Sequence, residues 1–336
     1  MIGQKIGQRK IYTIMKFYLH KDVLYEDQAW KTVKFLLDVK KISNEVVDMH
    51  NIESIKQLNV SSDDICFARF GHHFDDKIAT NKAYDVLTQK FNKIYPSKDA
   101  YYYYDDKLKQ YEFMLENDIP CLKTYYVGSK EEIEKINIKF PIVTKKTWGA
   151  GTEQVNKWDD YESIVDNKDT RSWTGGSIYP CLVQEYKDVD YDIRVRILNS
   201  KVFFTKRMHD FKTKNKDNFP YGTKEILKKD RIKYHLPPYE LPVALPINDL
   251  AEVEDIIPIV EKLHKIQNEK LDSHFMVWDI LRTNEGIKIL EFSHVTAYKS
   301  FPQIYYDIEY KEANKLTIKS REHFFYLYNE ILKGLV

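Results

Sequence analysis

Near the C-terminal end two short apolar runs, FMVWDIL (275–281) and IKILEF (287–292), flank the turn RTNEG, a pattern that predicts a β-hairpin. Each run carries one acid where the pattern wants an apolar side chain, Asp279 in the middle of the first strand and Glu291 at the end of its partner. A carboxylate in an apolar strand is costly unless it is paired or bound to a metal. Facing each other across the hairpin, the two acids would make a cradle of hard oxygen atoms for Mg²⁺, which takes carboxylates, phosphate oxygens and water. The alternative is one solvent-facing acid and one strand-end acid with no shared role.

Two further stretches carry chemistry. FPIVTKK (140–146) reads as a strand that delivers Lys145 and Lys146 just ahead of the loop TWGAGT (147–152), where Gly149 and Gly151 would let backbone N–H groups approach phosphates. The lysines precede the glycines and no third glycine follows, so neither of the common phosphate-loop patterns is met, and an ordinary turn competes. In VQEYKDVDYDIRVRIL (183–198) a buried strand ends in Gln184-Glu185-Tyr186, and a later strand opens with Asp192 and Arg194 on one face. An acid there suits a ribose hydroxyl and a guanidinium suits a phosphate, with a surface salt-bridge ladder as the bland alternative. DIRVRIL (192–198) and KVFFTKRM (201–208) flank Asn199-Ser200, which predicts a second hairpin.

Composition limits what these motifs can serve. Lys+Arg number 52 against 51 Asp+Glu, a formal net charge of +1, so no global field recruits nucleic acid or an anionic membrane. A hydrophobic fraction of 43% in 336 residues supports buried cores, with room for two domains. Three cysteines with no CxxC pair argue against a disulfide framework or a structural zinc, and no apolar run is long enough for a membrane span or a signal peptide. A reducing compartment and a cytoplasmic location are expected.

Residues 1–98 alternate short strands with helical stretches, as in TVKFLLDVKK (32–41) and DICFARF (64–70), and predict a small α/β domain. An aromatic strand is expected at Tyr101 to Tyr104, a helix from Lys107, strands at 121–127 and 181–186, and a charged helix at 129–137. The Lys- and Pro-rich stretch 209–246 reads as a long loop, a candidate lid, followed by an extended linker. A helix is expected over 249–269, kinked by Pro258 unless it starts later, and another over 318–334. His72-His73 with Asp75 and Asp76 suggest a metal cluster, but adjacent histidines point apart on a strand, so a polar loop is expected, with substrate contact as the alternative; His294 is either a structural donor or a substrate or proton-transfer residue.

The order of these motifs, DDK before a helix, PIVTK with a glycine loop, QEY, DIR, KR and DIL with ILEF, resembles the ATP-grasp superfamily over about residues 99–296. It is closest to the branch of peptide and glutamate ligases, and is also similar to ATP-grasp proteins encoded among bacterial polysaccharide genes. The resemblance implies an α+β fold in which two subdomains, 99–183 and 184–336 with a hinge at 184–187, clasp ATP behind a pre-ATP-grasp domain at 1–98. By position Lys107 and Lys145 resemble the two phosphate-contacting lysines and residues 147–152 the loop closing over them. Gln184, Glu185 and Tyr186 resemble the adenine-holding hinge and Asp192 the acid that takes the ribose. Arg194 and Arg207 resemble the arginines near the transferred phosphate, and Lys212 stands where arginine is usual. Asp279 and Glu291 match the metal-binding acids, with Ser293 in place of the usual asparagine. The implied cofactors are ATP and two Mg²⁺ ions, with Mn²⁺ as an alternative ion.

The implied reaction joins a small-molecule, peptide or glycan carboxylate to an amine donor through an acyl phosphate, releasing ADP and phosphate. A kinase on the same architecture is the second reading and a non-catalytic nucleotide-binding protein the third. Neither the acceptor nor the oligomeric state is readable.

Overall fold

A computed structural model describes residues 15–21, 28–68, 70, 74–149, 155–165, 177–208, 244–294, 304–316 and 323–335. The chain divides into two compact units, residues 1–70 with 79–95 and residues 71–78 with 96–336. In the first, β1 (Phe17–His20), α1 (Gln28–Val39), β2 (Asn44–Val47), α2 (Ile52–Gln57), β3 (Ile65–Phe67), most of α3 (Phe74–Lys90) and β4 (Lys93–Tyr95) alternate along the chain. The strands pair in parallel in the order β2-β1-β3-β4. Every residue of β1 and β3 is buried, as in central strands covered on both faces, which is why FYLH and ICF lack a polar alternation.

The second unit opens with α4 (Lys98–Tyr102), where a strand was expected. Four successive tyrosines favour a strand by propensity. Ser97 nevertheless caps a helix, its hydroxyl accepting from the Ala100 N–H at 3.0 Å, and Tyr101 and Tyr104, three residues apart, turn inward. The helix expected from Lys107 is α5 (Lys107–Glu116), capped by Asp106. It is followed by β5 (Thr124–Val127), α6 (Lys130–Lys135), β6 (Ile142–Lys146), β7 (Val155–Trp158) and β8 (Cys181–Glu185). Among the described residues these strands form a four-stranded antiparallel sheet in the order β5-β8-β6-β7, over a core of Val127, Ile133, Ile142, Trp158, Cys181 and Val183.

The chain continues through β9 (Tyr191–Leu198), β10 (Lys201–Met208), β11 (Ala244–Pro246), α7 (Ile257–Lys270), β12 (Phe275–Thr283), β13 (Gly286–Ser293), β14 (Ile304–Asp307), β15 (Glu312–Lys315) and α8 (His323–Leu335). Both expected hairpins are present, β9 with β10 and β12 with β13. The described strands build a seven-stranded sheet in the order β13-β12-β9-β10-β14-β15, with β11 also paired to β10. Residues 244–246, expected as linker, are thus a strand, while 209–243 lie outside the described residues. Pro258 does not kink α7, because the helix starts at Ile257 and the missing N–H falls in its first turn.

One face of the large sheet presents Ile193, Val195, Phe204, Met276, Trp278 and Ile280 to Val260, Leu263 and Ile266 of α7. The same core takes in Ala100, Phe113, Met114 and Ile119, so α4 and α5 pack with the seven-stranded sheet rather than with the four-stranded one.

Candidate active site

Alternation along β9, β10 and β12 sends every second side chain to the face away from that core. Register then decides which of them meet. Arg194 lies opposite both Asp279 and Thr205, Asp192 opposite Arg207, and Asp279 opposite Glu291. Counting outward from the Asn199-Ser200 turn is enough to pair Asp192 with Arg207.

Arg194 Nε donates to Asp279 Oδ1 at 2.8 Å and its Nη2 donates to Oδ2 at 2.9 Å. Arg207 bridges two acids, its Nε and Nη2 donating to Asp192 at 2.5–2.9 Å and its Nη2 also to Asp279 Oδ2 at 2.8 Å. Asp192 and Asp279 are 0% and 2% exposed, so these charges are stable only because they are paired. Burial pushes the Asp279 carboxyl up, but the Arg194 and Arg207 guanidiniums outweigh it and hold the group well below the usual carboxylate range.

Glu291 reaches this face through an irregularity. Strict alternation would put it on the side of Ile287 and Ile289, toward the core. The register shifts between Asp279 and Ile280, so that Ile280 meets Ile289, Asp279 meets Glu291, and Leu290 is the extra residue. This β-bulge re-aims Glu291 to the side of Asp279 and returns Phe292 to the core. Ser293, opposite Val277, follows Glu291 on the same face.

Two lysines converge on this face, Lys145 from the smaller sheet and Lys107 from the start of α5. Lys145, near the end of β6, is half-buried; burial chiefly, then Lys107 and Arg207, lower its pKa, while Glu291 and Asp279 pull it back. Lys107, the first residue of α5, donates from Nζ to the Gly149 carbonyl. Backbone bonds from Lys107 N to Thr147 O (2.7 Å) and from Gly149 N to Asp105 O (3.2 Å) fix the loop beside the helix start. Gly149 has φ +130°, a conformation open to glycine and strained for other residues. Lys107, Lys145, Arg194, Arg207, Asp192, Asp279 and Glu291 thus form one constellation of four cations and three acids.

Other expected site residues have partners within the protein. Asp192, expected at a ribose, is enclosed and serves as the counter-ion of Arg207. Gln184, expected at adenine, is buried and donates through Nε2 to Thr124 Oγ1 at 2.7 Å, tying β8 to β5. Glu185 accepts from Lys187 at 3.2 Å, and Lys187 also reaches Glu285 at 2.5 Å in the turn between β12 and β13. Tyr186 donates its N–H to Pro141 O and lies under Lys157. His294 is buried, with the Tyr104 and Tyr101 rings at 4.4 and 5.9 Å, a setting the sequence does not signal. Gly151, Lys212, His72 and His73 lie outside the described residues.

The described residues contain no group of three or more His, Cys, Asp or Glu able to cage a metal. Asp279 and Glu291 side by side still fit Mg²⁺, which binds through one or two carboxylates plus phosphate and water. No described helix is long and apolar enough to cross a membrane.

No family model matches the sequence and no curated protein matches it. Solved structures do. A RimK domain ATP-grasp protein from Sphaerobacter thermophilus matches at TM-score 0.51 and 14% identity, over 84% of this chain and 92% of that one. The ATP-grasp ligase PsnB with a minimal precursor, Mg and ADP matches at 0.53 and 12%, over 95% and 98%. N5-carboxyaminoimidazole synthase from Aspergillus clavatus, with ADP and 5-aminoimidazole ribonucleotide, matches at 0.55 and 12%, over 83% and 69%. With a four-stranded sheet set beside a larger antiparallel one and charged residues converging between them, the chain has the ATP-grasp fold.

Proposed function

We propose that the protein is an ATP-dependent carboxylate–amine ligase. The observation that carries this reading is the convergence of Lys145 from the smaller sheet and Lys107 from the start of α5 with Arg194, Asp279 and Glu291 of the larger sheet. Phosphoryl transfer needs little covalent help from the protein; it needs positioning and neutralisation of charge. Lys107 and Lys145 hold the phosphates, Arg194 meets the transferred phosphoryl group, and Asp279 with Glu291 hold magnesium, Ser293 standing next in line. Magnesium, when bound, supplies charge neutralisation of the phosphate oxygens. In this reading the segment 184–187 receives adenine, while Asp192 keeps Arg207 in position.

In the reaction the acceptor carboxylate attacks the γ-phosphorus, the bond to the β–γ bridging oxygen breaks and ADP leaves. The amine then attacks the acyl carbon, phosphate departs and the amine loses a proton. The ligase PsnB and the carboxyaminoimidazole synthase, solved with ADP, support this choice of chemistry. The acceptor class is a small molecule, peptide or glycan.

Trapping tests the reading. With ATP, an acceptor and hydroxylamine in place of the amine, a hydroxamate and ADP are expected. A stable phosphorylated acceptor with no hydroxamate replaces the ligase by a kinase, and AMP as product contradicts both.

A further inference from the structure

The two arginines on Asp279 are not equivalent. Arg207 is 9% exposed in its side chain and is paired with two carboxylates, whereas Arg194 is 22% exposed and is paired with Asp279. Arg194 covers both oxygens of Asp279, including Oδ1, which Arg207 does not touch. With a guanidinium N–H on each oxygen, Arg194 competes with a cation for Asp279, and for Oδ1 it is the competitor that Arg207 is not. The surrounding four cations and three acids also repel a divalent ion that arrives without phosphate.

We infer that Arg194 is a gate on the metal position: it blocks Asp279 until nucleotide phosphates arrive, then transfers from the carboxylate to phosphate and frees Oδ1 for the metal. Asp279 keeps Arg207 throughout, and Asp192 keeps Arg207 from following. The inference rests on the nucleotide-binding reading above and adds a property that reading does not require. Metal alone binds weakly, metal and nucleotide strengthen each other, and the coupling runs through one side chain. Such coupling is reciprocal, so the nucleotide also binds more weakly without metal.

The test uses Mn²⁺ as probe, followed by the paramagnetic resonance of the free ion, on the full chain without nucleotide. Arg194→Gln removes the cover and one positive charge while leaving Asp279 paired to Arg207, and is expected to bind Mn²⁺ about tenfold or more tightly than the wild type. Arg194→Lys, which keeps the charge but cannot span both oxygens, is expected to show a smaller gain and stands in if the glutamine variant does not fold. Adding Asp279→Asn to either variant is expected to abolish the gain. Unchanged Mn²⁺ affinity in the folded Arg194 variants, or a gain that survives Asp279→Asn, overturns the gate. If the wild type binds magnesium-ATP while the variants show no gain, the gate alone falls; if it binds no nucleotide with metal present, the functional reading falls as well.

Discussion

On one face of the seven-stranded sheet Val195, Phe204, Trp278 and Ile280 close on α5 and α7; one residue along in the same strands, Arg194, Thr205 and Asp279 lie on the opposite face with Arg207 and Glu291. The backbone pays for its own hydrogen bonds once and serves both faces. The apolar face fixes the plane of the sheet, and that plane sets the spacing of the charges. Substitutions one position apart in β12 are therefore expected to fail in different ways.

Asp279→Asn is expected to lower kcat by two to three orders of magnitude, about 3–4 kcal/mol of transition-state stabilisation, with the fold retained by circular dichroism. Its neighbour Trp278→Ala is expected to cost about 3–5 kcal/mol of stability in urea titration while the folded fraction keeps its turnover. Equal loss of activity per folded molecule in both would break the division between faces. Asp279 also marks the acid limb of stability. Its folded pKa lies below the unfolded value, so its contribution is complete above about pH 4 and is lost as pH falls toward the folded value. Asp279→Asn should weaken that limb, to which Asp48, Asp64 and Glu330 also contribute.

Asp192→Asn sharpens the same contrast within the polar face. If Asp192 is a buried counter-ion and not a ribose ligand, its removal leaves Arg207 under-compensated and costs about 3 kcal/mol in stability, with little change in the affinity of folded protein for adenosine. A normal stability with weakened adenosine binding would restore the ribose role.

Much of this arrangement is legible in the sequence. Both hairpins follow from their turns, and Asp279 stands out as an acid in an apolar run. What period-two reading misses is Leu290: a bulge is a single extra residue with no compositional mark, and without it Glu291 points into the core. Tyr101 to Tyr104 mislead for a related reason, because local propensity is overridden by a serine cap and by burial at a spacing of three. Asp192 and Arg194 were readable as residues that hold a ligand, but which of them is enclosed depends on pairing with β10 and β12. That is tertiary information.

Smaller effects are expected at the two lysines. Lys107→Ala and Lys145→Ala are each expected to weaken ATP binding about tenfold or more while adenosine affinity stays unchanged, measured by calorimetry, since only charge contacts to phosphate are removed. Lys145→Met should at the same time raise the thermal midpoint at pH 7. Burial first, and then Lys107 and Arg207, lower the folded pKa of Lys145, so between that value and the ordinary lysine range the unfolded chain binds more protons and stability rises with pH. The methionine variant should lack that alkaline rise. Lys187→Ala, which removes the clasp between Glu185 and Glu285, should change stability by less than about 1 kcal/mol, because both acids are largely exposed.

The most direct measurement is a calorimetric titration of ATP into the wild type and into Glu291→Gln, each with excess Mg²⁺ and again with a chelator. If the polar face holds the magnesium nucleotide, the wild type binds ATP with Mg²⁺ and loses about tenfold or more in affinity with chelator, and Glu291→Gln shows little difference between the two conditions. Equal ATP binding with and without Mg²⁺ in the wild type, or a Glu291→Gln variant whose metal dependence matches the wild type, would contradict the account.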